Sequence, residues 1–156
     1  MNEIASYPSL NNKVVIITGG ASGIGASIVE QFVLQHSKVA FLDINEQIGK
    51  ELVDKIYKKY NVKTHFIKCD LKKIEDLKES IEYIKKTLGP VSILINNAAN
   101  DERHNIDDVT PEYWDDRMNI NLKHYFFSIQ SVYQDMKKLG KGTIVNMGSF
   151  SWMKGQ

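Results

Sequence analysis

Lys13-Val-Val-Ile-Ile-Thr-Gly-Gly-Ala-Ser-Gly-Ile-Gly25 begins with an apolar β-branched run, Val14 to Ile17, and ends in a turn rich in glycine. Apolar residues then recur with helical spacing at Ile24, Ile28, Val29, Phe32 and Val33. The order reads as strand, glycine turn, helix. Gly19, Gly23 and Gly25 permit a tight turn, let another group approach the backbone, and let the helix pack closely on the strand. The first helical N–H groups have no partner of their own, and with the helix dipole they favour a phosphate above the strand's carboxyl end. Gly19, Ala21, Ser22, Gly23, Ile24 and Gly25 are therefore the candidate binding residues of this turn. A glycine-rich turn by itself also suits a loop that binds nothing, so its context has to decide.

The next apolar run, Val39-Ala-Phe-Leu-Asp43, ends in a carboxylate eighteen residues after Gly25. An acid at the tip of the second strand, about 20 residues on, accepts hydrogen bonds from the adenosine ribose of a dinucleotide. Its charge also repels a ribose 2′-phosphate. Neither Gly20 nor Ile44, where a 2′-phosphate would want a cation, is Lys or Arg. The reading is NAD rather than NADP, with Asp43 and Ile44 at the ribose; the alternative for Asp43 is a solvated acid opening a turn before Asn45.

The 156 residues suffice for one domain with a sizeable core. Twenty basic side chains against 19 acidic ones give no reason to expect nucleic acid or an anionic membrane as partner. No apolar run approaches a membrane span and the first residues lack the pattern of a signal peptide, so a cytoplasmic protein is expected. The single cysteine, Cys69, excludes an internal disulfide and a cysteine cluster for zinc, and reads as a small hydrophobe at a strand end.

Residues 1 to 12 read as a loose polar tail. The pattern predicts a helix over 45 to 60, a third strand from Val62 to Cys69, a helix from Ile74 until Gly89-Pro90, and a fourth strand from Val91 to Ile95. Asn100 to Asp108 reads as a loop. Thr110-Pro-Glu112 supplies an N-cap, a proline at the first helical position and an acid for a helix that keeps its period to Gly140, with a bend near Asn119-Ile-Asn121. Thr143 to Met147 is a fifth strand. Such alternation predicts an α/β fold, a Rossmann-type doubly wound parallel sheet of strand order 3-2-1-4-5, with ligand above the carboxyl ends of the first and fourth strands.

From Lys13 to Gln156 these motifs resemble the short-chain dehydrogenases and reductases. Thr18 to Gly25 resembles that family's cofactor turn, and Cys69-Asp70-Leu71 its adenine-edge pair. Asn96-Asn-Ala-Ala99 resembles its fourth-strand signature, with Asn100 in place of the glycine that often follows. Asn121 matches its active-site asparagine and Ser149 its catalytic serine. The resemblance implies that Asp70 and Leu71 meet the adenine, that Asn97, Ala98 and Ala99 lie along the ribose and nicotinamide, and that the Asn121 main chain holds a water of a proton relay. It also implies that the Ser149 hydroxyl binds the oxygen that passes between alcohol and carbonyl. Taken singly, a turn asparagine, a helix-breaking asparagine and a strand-capping serine are ordinary; jointly, at these spacings, they are not.

In the family a tyrosine follows the serine by about a dozen residues and a lysine stands four beyond it, as general acid/base and its partner. Gln156 is seven residues after Ser149. The Tyr and Lys are expected beyond it, with the carboxyl-terminal strands, the second interface helix and the substrate lid. Tyr125 and Tyr133 read as core or helix-interface packing residues of the long helix. A product ending at Gln156 is expected to be inactive and poorly soluble, and the full-length protein to be a homodimer or homotetramer.

For the substrate, Asn100 to His104 and the Ser151-Trp152 pair, together with Thr110 to Trp114, resemble the family's sugar 1-dehydrogenase branch, which implies an aldose bound near Asn100, Ser151 and Trp152. Alternatively, Arg103 and His104 only tie their loop to Asp107 or Asp108. A 3-oxoacyl-thioester or other ketone reductase of the same family, and a non-catalytic nucleotide-binding protein, are the competing functions.

Overall fold

The run Val14–Thr18 forms β1, and all five of its residues are buried because the strand lies at the centre of a sheet covered on both faces. The computed structural model describes residues 5–149. Within them β2 (Lys38–Asp43), β3 (His65–Lys68), β4 (Ile93–Asn96) and β5 (Thr143–Asn146) complete a five-stranded sheet of order β3-β2-β1-β4-β5, the order predicted. Every pairing is parallel. The strands are joined through α1 (Gly23–Leu34), α2 (Glu46–Tyr60), α3 (Ile74–Leu88), α4 (Pro111–Met118) and α5 (His124–Lys138).

Alternate residues of β1 point to opposite faces, and each face has its own core. Val15 and Ile17 pack with Val29 and Val33 of α1 and Ile56 of α2. Val14 and Ile16 belong with Leu77 and Ile81 of α3 and Val132 of α5. The helix ends follow the sequence signals. Asn45 Oδ1 accepts from the Ile48 N–H at 3.1 Å and caps α2. Thr110 Oγ1 accepts from the Tyr113 N–H at 3.2 Å and caps α4, with Pro111 at its first position.

Three expectations are corrected. The bend after α4 is a five-residue π-helical segment, Asn119–Lys123, running into α5. The third strand is shorter than 62 to 69, because β2 offers it partners only from Ala40, opposite His65, to Asp43, opposite Lys68. Residues 5 to 12 are not loose. Pro8–Leu10 form a 3-10 turn, the Tyr7 N–H donates to Gln35 Oε1 at 2.7 Å, and the Ser37 hydroxyl donates to the Leu10 carbonyl at 2.8 Å. Among the described residues β5 pairs on one side only, with β4, and all four of its residues are exposed.

Candidate cofactor cleft and active site

Above the carboxyl ends of β1 and β4 lies a cleft of about 720 Å³. Gly19, Ser22, Gly23, Ile24 and Gly25 form one wall. Gly19 and Gly23 have φ of 63° and 53°, the left-handed region that costs a side chain most. A Cβ on Gly23 would meet nothing within 4 Å, so this part of the turn is open to a ligand. Ser22 is the N-cap of α1, yet its side chain makes no capping hydrogen bond. The first N–H groups of the helix thus keep their capacity for an outside acceptor.

Asp43 and Ile44 lie on the far wall. Each Asp43 oxygen is already oriented: Oδ2 accepts from the Ala21 N–H and Oδ1 from the Asn45 N–H, both at 3.0 Å. Ala21 itself is buried and does not line the cleft. Its place among the binding residues is corrected to that of a backbone donor that fixes Asp43. Asp70 and Leu71 border the cleft with Cys69, whose thiol pKa burial pushes up, as expected of a packed, inert cysteine.

Asn97, Ala98, Ala99 and Asn100 close the side toward β4. The Asn97 side chain is turned to the protein: Nδ2 donates to the Thr18 and Gly19 carbonyls at 3.1 and 3.0 Å. The fully buried Thr18 hydroxyl accepts from the Asn97 and Ala98 N–H groups at 3.0 and 3.1 Å. Thr18→Val is expected to leave two part-buried donors without their acceptor and cost about 2 kcal/mol, measurable by urea unfolding. The sequence reading missed Thr18, although a threonine ending an apolar strand beside the turn was the available signal.

Asn121 sits in the π-helical segment, and its side chain clasps Asn100 at both ends. Oδ1 accepts from the Asn100 N–H at 2.8 Å, and Nδ2 donates to the Asn100 carbonyl at 3.0 Å. Ser149 is exposed on the segment following β5. The start of that segment is fixed: the Met147 N–H donates to the Asn96 carbonyl at 2.9 Å, and the Tyr125 hydroxyl donates to the Met147 carbonyl at 3.0 Å. Below it, Ser128 Oγ donates to Asn96 Oδ1 at 2.7 Å and Asn96 Nδ2 donates to Asn146 Oδ1 at 2.8 Å. This polar ladder ties α5, β4 and β5 together. Tyr133 is 51% exposed, which excludes the core and not the helix interface of the two places read for it, and Lys137 stands four residues after it. Both precede β5 on α5. Ser151 and Trp152 lie outside the described residues.

The reading also missed a charged wall. Lys72, Asp116 and Arg117 line the cleft. Lys72 Nζ and Arg117 Nη2 donate to Asp116 at 2.9 and 2.6 Å and hold its carboxyl pKa below the ordinary value. His104 is not tied to Asp107 or Asp108; its Nδ1 lies 2.8 Å from the Tyr113 hydroxyl. Among the described residues no group of three or more His, Cys, Asp or Glu could hold a metal, and no helix is long and apolar enough to cross a membrane.

A glycine cradle, an oriented acid at the second strand and an asparagine clasp beside the fourth converge on one edge of a 3-2-1-4-5 sheet. Residues 13–156 match the family model for short chain dehydrogenase. The chain belongs to that family. The D-xylose 1-dehydrogenase of Caulobacter vibrioides is 42% identical over 159 residues, covering 97% of this chain and 59% of the relative. A probable galactose dehydrogenase of Rhizobium meliloti is 38% identical, covering 96% and 58%. Among solved structures, a 7α-hydroxysteroid dehydrogenase complexed with NADH and 7-oxo glycochenodeoxycholic acid superimposes with a TM-score of 0.87 at 27% identity, covering 94% of this chain and 57% of that one. The chain thus spans less than two thirds of the length of these relatives.

Proposed function

We infer that this short-chain dehydrogenase chain carries the cofactor site of an NAD-dependent oxidoreductase acting on an aldose or a similar alcohol. The observation that carries the reading is the cleft with Asp43 oriented on one wall and the open glycine cradle on the other. Gly23, Ile24 and Gly25 would hold the pyrophosphate, Asp43 the adenosine ribose, Asp70 and Leu71 the adenine, and Asn97 to Ala99 the nicotinamide side. When bound, the dinucleotide supplies a hydride acceptor or donor. Ser149 would bind the reacting oxygen and Asn121 would hold a relay water by its main chain.

The choice of NAD has steric support as well as electrostatic. A Cβ on Gly20 would lie 2.5 Å from the Phe41 Cβ, so position 20 has no room for a cation toward a 2′-phosphate. The sugar reading is supported by the xylose and galactose dehydrogenases among the relatives. Exposed Trp114, Leu122 and Phe126 on α4, the π segment and α5 support a homodimer or homotetramer.

Aldoses and simple ketones assayed with NAD and NADP test the function on the natural protein. Turnover of an aldose with NAD is expected; preference for NADP or for 3-oxoacyl thioesters would overturn it, and NADH binding without turnover of any alcohol would mark a non-catalytic binder. Asp43→Asn is expected to weaken NADH binding about tenfold, the size of one charge-assisted hydrogen bond, and to affect NADPH less.

A further inference from the structure

Lys72, Asp116 and Arg117 line one wall of the cleft, and Glu102, one residue beyond the lining residue Asp101, continues their charged series. Lys72, on the loop after β3, donates to Asp116 Oδ1 at 2.9 Å. Arg117 donates through Nη2 to Asp116 Oδ2 at 2.6 Å and through Nη1 to Glu102 Oε2 at 3.3 Å. Glu102 belongs to the loop after β4, and the Tyr113 hydroxyl donates to its carbonyl at 3.3 Å. The Arg117 side chain is only 20% exposed, and its guanidinium lies 5.1 Å from the Tyr113 ring centroid. Its Nε is buried with no hydrogen-bond partner.

An isolated exposed ion pair does little. This series differs in two respects. Its central member is largely buried and stacked, and its two ends lie on different loops that border one cleft. Arginine suits the central place because one planar fork reaches two carboxylates and also stacks on an aromatic face, which an ammonium cannot do together.

We propose that Arg117 is a positioning residue that sets the width of the cofactor cleft, joining the adenine-side loop through Asp116 and Lys72 to the loop after β4 through Glu102. The proposal rests on the dinucleotide reading of the cleft. The two loops are held at one spacing before the dinucleotide arrives, so binding does not have to order them.

NADH titrations of the natural protein and of Lys72→Met, Arg117→Lys, Arg117→Met and the Lys72→Met/Arg117→Met double variant test it, with unfolding temperatures measured alongside. Arg117→Met is expected to raise the NADH Kd about five- to tenfold, and Arg117→Lys nearly as much, since lysine cannot bridge both carboxylates. Lys72→Met is expected to raise it about threefold, and the double variant no more than Arg117→Met alone, because links in series are lost once. Raising salt from about 0.05 to about 0.5 M should weaken NADH binding more in the wild type than in Lys72→Met. Rescue by lysine, additive single effects, or a Kd within about twofold of wild type in folded Arg117→Met would overturn the proposal. Should Arg117→Met fail to fold, the exposed Lys72→Met and its salt response decide. A wild type that binds no NADH would instead overturn the cofactor reading, and this inference with it.

Discussion

Gly25→Ala is expected to unfold the protein about 10 to 15 °C below the wild type, a loss of roughly 4 kcal/mol for a chain of this size. An alanine Cβ at this position would lie 1.9 Å from the Gly19 carbonyl oxygen and 2.8 Å from Asn97 Nδ2. Neither obstacle is the free end of a flexible side chain. The Gly19 oxygen belongs to the turn, and Asn97 Nδ2 is bound to the Thr18 and Gly19 carbonyls. Relief requires α1 to withdraw from the turn, which breaks the cradle as well as the packing. Gly23→Ala is the control, since a Cβ there meets nothing and costs only the left-handed φ, about 1 kcal/mol. Thermal unfolding of the two variants checks the contrast. If Gly25→Ala melts within a few degrees of wild type, the close packing of helix on turn is not what holds this edge of the sheet.

That contrast also shows why the turn was legible. Three glycines between a β-branched run and a helical period have few structural solutions, and the solution fixes where α1 starts and where Asp43 must come. Strand order followed from alternation of elements and the handedness of crossovers. Features that depend on who meets whom across the cleft were not legible. Nothing in the spacing of Lys72, Asp116 and Arg117 announces a series of ion pairs, because 44 residues separate Lys72 from Asp116. The Thr18 hydroxyl and the Ser128–Asn96–Asn146 ladder escaped for the same reason. Ala21 was placed in the cleft because it lies among residues that are; its N–H matters, whereas its side chain is buried. The segment read as a bend is a π-helical one, since sequence periodicity signals that helical order is interrupted but not how the backbone accommodates it.

His124, the first residue of α5 after that segment, is expected to make the protein acid-sensitive. The ring is fully buried and stands edge-on to Tyr125 with centroids 4.5 Å apart. Burial pushes its pKa down to about 4, and the backbone of Ile120 opposes this only in part. A base with a depressed folded pKa binds fewer protons folded than unfolded, so stability is complete above about pH 6.5 and is lost as pH falls toward 4. The loss over this window is about 3 kcal/mol. His65, whose pKa burial also lowers, acts in the same direction, and the lowered carboxyls of Glu30 and Asp116 act further toward acid. Those groups remain in His124→Phe, so the difference between the two proteins isolates this ring. Urea unfolding at pH 7 and 4.5 should show a stability loss smaller by about 2 to 3 kcal/mol in His124→Phe. Equal losses in both would mean that the ring takes up its proton while folded. The consequence reaches the site, because the π segment leading into His124 carries Asn121, whose side chain clasps Asn100. Protonation that loosens this junction should release the clasp before the sheet unfolds, and NADH binding should fall at a higher pH in the wild type than in His124→Phe.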